Sequence, residues 1–311
     1  MQFKTFASIV YIALFSLSVT ATHARADDEC RYDSRPAISF IEIKSFDIET
    51  GQPFTVKGKL KIPAGKNKSD KCSGARQGRP AVVILHGSGG VDARGDFHAS
   101  ALNAKGIATL EIDMWEARGV VDVADRPRHP IYTYPDAFSA LAYLSSYPGI
   151  NPARIGVMGF SWGGVITLAS ATENYATAFG GLLRFKAHVA HYPVCYAYNH
   201  PFIPNSDFGS HAGNPLTGAP ILVQIGDQDG YDEGAARCAA LKASLLAYEQ
   251  DLMTVIPYSG AHHAWDRLLV PVTFVDPFAH LGAGGTVQIE PSVEQAYQAQ
   301  EKAVRFFLKS L

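Results

Sequence analysis

Two kinds of hydrophobic pattern divide the chain. Residues 37–46 (AISFIEIKSF) and 54–62 (FTVKGKLKI) alternate apolar with polar side chains, the period of a strand with one solvated face. From residue 81 the alternation gives way to short continuous apolar runs: AVVIL (81–85), IATLEI (107–112), RIGVMGF (154–160), AHVAHY (187–192), PILVQIG (220–226) and LMTVIPY (252–258). Such runs suit strands covered on both faces. Helical spacing appears between them. Residues 134–147 carry Pro135 and Asp136 in their first turn, as a helix start does. Residues 162–173, 233–249 and 292–309 complete the helical set. A polar, glycine-rich segment, 65–80, separates the two patterns. Strands alternating with helices predict an α/β fold: a mostly parallel central sheet, helices on both faces, and antiparallel strands before it. The alternation is unbroken, which predicts one domain over residues 27–311. Two long irregular stretches, 194–218 and 266–291, exceed ordinary connections and are expected to cover a site.

The first 26 residues form a separate object. MQFK carries a positive charge, residues 6–19 are mostly apolar, and Ala24 and Ala26 supply small residues in an A-x-A arrangement. This predicts a signal peptide cut after Ala26, and a secreted or periplasmic protein. The apolar run is shorter than the roughly 20 residues of a spanning helix, so no membrane association is expected once it is removed. Export changes how the four cysteines read. Cys30, Cys72, Cys195 and Cys238 contain no C-x-x-C pair and no zinc spacing, and an oxidising compartment favours two disulfides.

With 311 residues, 47% of them hydrophobic, the chain has ample core. Its formal net charge of -2 comes without any block of like charge, so nucleic acid is not an expected partner. No cofactor is expected, and the histidines form no recognisable metal-ligand cluster in sequence.

The chemistry concentrates at Gly159-Phe160-Ser161-Trp162-Gly163, a G-x-S-x-G string. Alone it is weak, but a buried strand is expected to end at it and a helix to begin after it. That is the setting of a nucleophile elbow, in which a serine is exposed on a sharp turn. A serine needs a base at neutral pH, and the base needs an orienting acid. Downstream, strand 220–226 runs into Gly226-Asp227-Gln228-Asp229, and strand 252–258 runs into His262-His263. The order Ser, acid, His is the one this elbow requires. The residues themselves leave Asp227 or Asp229, and His262 or His263, open. For the oxyanion, one N–H is expected from Trp162. The other is expected from His86-Gly87-Ser88-Gly89-Gly90 after strand 81–85, with Ser88 preferred and Gly89 next. His86 is read as shaping that loop. Trp162 and Trp265 are expected to wall an apolar pocket. Asp113 and Arg118 are candidates to hold a substrate carboxylate, with an internal ion pair that fixes their loop the favoured reading.

The stretches VVILHGSGG, IDMWEARG, NPARIGVMGFSWGG, HYPVC, IGDQDGYDEGAARC and YSGAHHAWD resemble the dienelactone hydrolase family, from about residue 80 to 266. The resemblance implies an α/β-hydrolase fold. It selects Asp229, three residues after the strand-ending glycine, and His263, two before an aromatic. It also implies that strands 187–192 and 220–226 are neighbours, which pairs Cys195 with Cys238 and leaves Cys30 for Cys72. The family's namesake enzymes use a cysteine nucleophile. Ser161 here points instead to an exported, serine-based branch acting on a small carboxylic ester or lactone through an acyl-enzyme. A peptidase or acyl transferase would share the same residues. A non-catalytic binding protein of the same fold is the other alternative.

Overall fold

The computed structural model describes residues 35–64 and 78–311. The expected signal peptide and the Cys30–Cys72 pair lie outside the described residues.

Strands β1 (Ala37–Phe46) and β2 (Pro53–Ile62) form an antiparallel hairpin. The alternating unit begins with β3 (Arg79–Leu85), α1 (Ala93–Ala104), β4 (Ala108–Asp113), α2 (Tyr134–Ser146) and β5 (Ile150–Phe160). It continues with α3 (Trp162–Ala169), α4 (Glu173–Gly180), β6 (His188–His191), β7 (Ile221–Gln228), α5 (Ala236–Ser244), α6 (Ala247–Gln250) and β8 (Met253–His262). A second hairpin, β9 (Val272–Asp276) and β10 (Gly285–Ile289), brackets the single turn α7 (Ala279–Gly282), and α8 (Val293–Ser310) closes the described chain. The eight-stranded sheet has the order β1-β2-β4-β3-β5-β6-β7-β8. Strands β3 to β8 run parallel, and β2 joins β4 antiparallel.

The continuous apolar runs are buried on both faces, as their pattern requires. Val82 and Ile84 enter one core with Leu102 of α1 and Phe307 of α8. Val83 and Leu85 enter the other with Phe138 and Leu141 of α2 and Ala176 of α4. Each side chain alternates faces, so both layers of helices are held by the same five residues.

Three elements differ from the sequence expectation. Helix α1 carries polar residues on its buried side, Arg94, His98 and Asn103, so its apolar period is hidden. The expected helix 233–249 breaks at Leu245 and Leu246, whose backbones are extended. The break places Glu249 to accept hydrogen bonds from Ser210 N at 3.0 Å and Leu216 N at 3.0 Å, tying down the 207–216 loop. The stretch 266–291 is not irregular throughout: it contains β9 and β10, five residues each, and β9 alternates half-buried with exposed positions.

Candidate active site

Ser161 stands between β5 and α3 with φ 51° and ψ -108°. A non-glycine residue in that region stores strain of order 1–3 kcal/mol and persists only where the surroundings impose it. The surroundings are visible. A Cβ at Gly159 would lie 2.0 Å from Gly163 O, and one at Gly163 would lie 2.3 Å from Leu85 O. The turn is pinned from both flanking strands: Ser161 N donates to His191 O of β6 at 3.0 Å, and Gly163 N donates to His86 O beyond β3 at 3.1 Å.

A continuous hydrogen-bonded chain leads away from the serine. Ser161 Oγ lies 2.9 Å from His263 Nε2, and His263 Nδ1 lies 2.7 Å from Asp229 Oδ2. Asp229 Oδ1 accepts from the amides of Tyr231 at 2.9 Å and Asp232 at 3.3 Å. The carboxylate is therefore fixed by backbone on one side and faces the imidazole on the other. The rings of Tyr231 and Tyr192 flank the imidazole, with centroids 4.4 and 4.7 Å away. The two alternatives are engaged elsewhere: Asp227 accepts from Gly260 N at 2.7 Å, and His262 stands 3.8 Å from Glu290.

The loop after β3 is shaped by His86, as expected. Its Nδ1 bonds Gly87 O at 2.8 Å, and Met114 N donates to its Nε2 at 2.9 Å. Both nitrogens are thus used by a neutral ring, and burial pushes its pKa down to about 4. Ser88 O accepts from Trp115 Nε1 at 2.9 Å, and Gly90 N donates to Gly87 O at 3.0 Å, which fixes the turn between them. Trp162 begins α3, so its N–H is one of the donors a helix leaves unpaired. Among the described residues neither the Ser88 nor the Trp162 amide has an acceptor. Ser88 lines both lobes of the cleft described below, while Gly89 lines only one.

That cleft has two lobes meeting at Ser161. The wider, about 750 Å³, is lined by His263, Arg94, Arg126, Arg128 and Arg267 among others. The narrower, about 340 Å³, is lined by Tyr134, Trp162, Val165, Tyr198, Phe202 and Phe278 among others. Both stretches expected to cover a site do so, 194–218 over the narrow lobe and 266–291 over both.

Two expectations need correction. Trp265 does not wall the pocket. It is fully buried beneath it, against Tyr192 and Tyr258 with centroids 5.0 and 5.2 Å away. Arg118 is paired, but with Asp136 of α2 at 2.6 Å rather than Asp113, whose carboxylate caps the Trp115 and Glu116 amides. A local i, i+5 reading overlooked a partner that tertiary packing brings from the next helix.

Sequence reasoning also missed the layer behind the histidine. Tyr192 Oη donates to Asp266 Oδ1 at 2.5 Å and accepts from Arg94 Nη1 at 3.2 Å. His98 Nε2 meets the other Asp266 oxygen at 2.9 Å. Burial opposes charge on Asp266, but His98, His191 and Arg94 outweigh it and hold the carboxyl well below its usual range. Nothing distinguishes Tyr192 in sequence from an ordinary core aromatic. His98, His191 and Asp266 bring potential ligand atoms within 4.8 Å of one another. Both Asp266 oxygens are already engaged, one by His98 and the other by Tyr192.

The Cys195–Cys238 disulfide is formed, with Cα atoms 5.0 Å apart, joining the segment after β6 to α5. Strands β6 and β7 are neighbours, as the pairing assumed. Beside it Asp232 accepts from the amides of Cys195 and Tyr196, each at 2.7 Å. Burial and the adjacent Asp229 charge push its carboxyl up to about 7.

A relative from Bradyrhizobium sp, named a probable 2-oxo-3-(5-oxofuran-2-ylidene)propanoate lactonase, is 23% identical over 197 residues, 60% of this chain and 73% of that one. Among solved structures, a putative dienelactone hydrolase from Klebsiella pneumoniae is 17% identical with a TM-score of 0.53, covering 88% of this chain and 99% of that one. Esterase 2 of Thermogutta terrifontis, phosphoramylated by tabun, is 15% identical with a TM-score of 0.58, covering 88% and 95%. Both show the shared fold. Residues 72–271, more than half of the chain, match the family model itself, and this protein belongs to the dienelactone hydrolase family.

Proposed function

We propose that this protein is an exported serine hydrolase that cleaves a small carboxylic ester or lactone, with residues 27–311 as one catalytic domain. The observation that carries the reading is the chain Asp229–His263–Ser161, ending at a strained serine in an open cleft. In the proposed reaction Ser161 Oγ attacks the carbonyl carbon while its proton passes to His263 Nε2. The oxyanion accepts from the Ser88 and Trp162 amides. Asp229 holds Nδ1–H and stabilises the imidazolium. His263 then returns the proton to the leaving alcohol oxygen, giving the acyl-enzyme. Water, deprotonated by the same imidazole, releases the acid and restores Ser161. The relative's lactonase name adds lactones to the substrates worth screening. The Cys195–Cys238 bond supports an oxidising compartment.

A fluorophosphonate probe tests the mechanism. Wild type is expected to be labelled at Ser161 and to hydrolyse p-nitrophenyl esters. Ser161→Ala should lose labelling and on the order of 10⁶ in kcat with unchanged melting. A variant keeping more than about a hundredth of kcat would show that Ser161 is not the nucleophile. Export is tested by the mature N-terminus, expected at Asp27, in the periplasm or medium.

A further inference from the structure

The two lobes of the cleft differ in which catalytic group they reach. Ser161 lines both. His263 lines only the wide lobe, and Trp162 only the narrow one. This asymmetry has a chemical meaning, because an ester presents two halves with different fates. The leaving oxygen must receive its proton from His263 Nε2, so the alcohol half departs on the histidine's side. The acyl half stays on Ser161 Oγ and extends the other way, past Trp162.

The narrow lobe presents aromatic walls to a bound ring, with Arg126, Arg128 and His129 also lining it. Two of its aromatic walls have their polar atoms already committed within the protein. Trp162 Nε1 donates to Thr133 Oγ1 at 2.9 Å, and Tyr198 Oη donates to Val165 O at 2.8 Å. What they turn to the lobe is ring and not hydrogen-bonding capacity. Trp162 is further braced edge-on by Trp115 at 5.4 Å. A cavity of about 150 Å³ suffices for benzene, so about 340 Å³ holds a phenyl ring together with a short linker to the carbonyl. A two- or three-carbon acyl group would leave most of that apolar surface uncovered.

We propose that the narrow lobe is an acyl-side pocket, and that the protein prefers esters of aromatic or arylalkanoic acids with alcohols of little fixed size. This rests on the serine hydrolase reading given above. Burying a phenyl-sized group is worth a factor of about ten to a hundred, and that factor is expected on the acyl side, where the ring meets Trp162 and Tyr198.

Two matched pairs of substrates test this. Methyl 3-phenylpropanoate is compared with methyl butanoate, which places the ring on the acyl side. Phenethyl acetate is compared with butyl acetate, which places it on the alcohol side. The expected kcat/KM gain is about 10- to 100-fold in the first pair and under about threefold in the second. Val165→Phe, which fills the lobe, should cut the first ratio at least about tenfold. Phe202→Ala acts on the same pocket from a residue 88% exposed, where folding is not at stake, and should also lower that ratio. A larger gain on the alcohol side, no gain on either, or ratios indifferent to both variants would overturn the proposal. Fluorophosphonate labelling of each preparation separates the failures. A labelled enzyme without acyl-side preference sinks only the pocket, and an unlabelled one sinks the hydrolase reading with it.

Discussion

Replacing Asp229 by asparagine tests how the histidine is held. The two side-chain oxygens of Asp229 have different duties. One accepts from the Tyr231 and Asp232 amides, and the other faces His263 Nδ1. An asparagine must keep its carbonyl oxygen where the two amides are. Flipping it would set an NH₂ group against them and strand two buried donors, at about 1–3 kcal/mol each. The NH₂ group therefore lands opposite Nδ1 and donates to it. That forces the proton onto Nε2, the nitrogen that must accept from Ser161. The base is lost although no atom has moved. Expected is a fall in kcat of about 10⁴, equivalent to about 5.5 kcal/mol of barrier. Melting should change little, since size and backbone bonds are kept. Stopped-flow hydrolysis of p-nitrophenyl butyrate, with Ser161→Ala as the floor, measures it. Asp227→Asn serves as the control and should keep most of its activity, because Asp227 is exposed and its side chain accepts from Gly260 N, away from His263. If Asp229→Asn retains more than about a hundredth of kcat while Asp227→Asn does not, the orienting acid has been misassigned.

Other perturbations follow from the same contacts. Burial pushes three histidines down, His86 and His188 to about 4 and His191 to about 3, from 6.5 in the unfolded chain. A lowered histidine pKa means that the unfolded state takes up protons first. Stability should fall as the pH drops below about 6.5, with the raised carboxyl of Asp232 offsetting one of the three histidines; a melting temperature flat from pH 7 to 5 would contradict this. Gly163→Ala drives a Cβ to within 2.3 Å of Leu85 O and should cost at least about 1–3 kcal/mol by urea titration, with loss of activity. The Cys195→Ser/Cys238→Ser double variant opens a loop with a sequence separation of 43 and should lose roughly 2–4 kcal/mol. It should also lower kcat, since Asp232, which bonds the Cys195 amide, sits on the Asp229 loop; unchanged kcat in a destabilised protein would disconnect the bridge from the site.

What could be read from sequence was what local pattern encodes. The buried runs are strands because both of their faces are covered, and the chemistry-bearing residues follow strand ends, where spacing marks them. Asp229 and His263 could be separated from their neighbours only through the family resemblance. What escaped has non-local causes. Helix α1 packs polar side chains inward because Arg94 and His98 serve Tyr192 and Asp266, so its pattern carries no apolar stripe. Gly95 of that helix sits so close to Glu111 that a Cβ would overlap the carboxylate, a constraint that only the assembled fold reveals. Trp265 looked like a pocket residue through its nearness to His263 in sequence. The 3-10 turn at Trp265–Arg267 swings it under the site instead.

The way the Ser161 turn is suspended bears on when the protein can become active. Its amide hangs from β6 and the Gly163 amide from the end of β3, while the histidine arrives from β8. The first and last of these strands, ending at Leu85 and beginning at Met253, are far apart in the chain, and none of the attachments is local. A partly folded chain has no means of holding φ 51° at a serine, since the strain is imposed only by the docked neighbours. The turn at Ser161 is thus completed only once these strands have docked. A partly folded chain carries every residue of the candidate site without the backbone turn that sets Ser161 between its two neighbours.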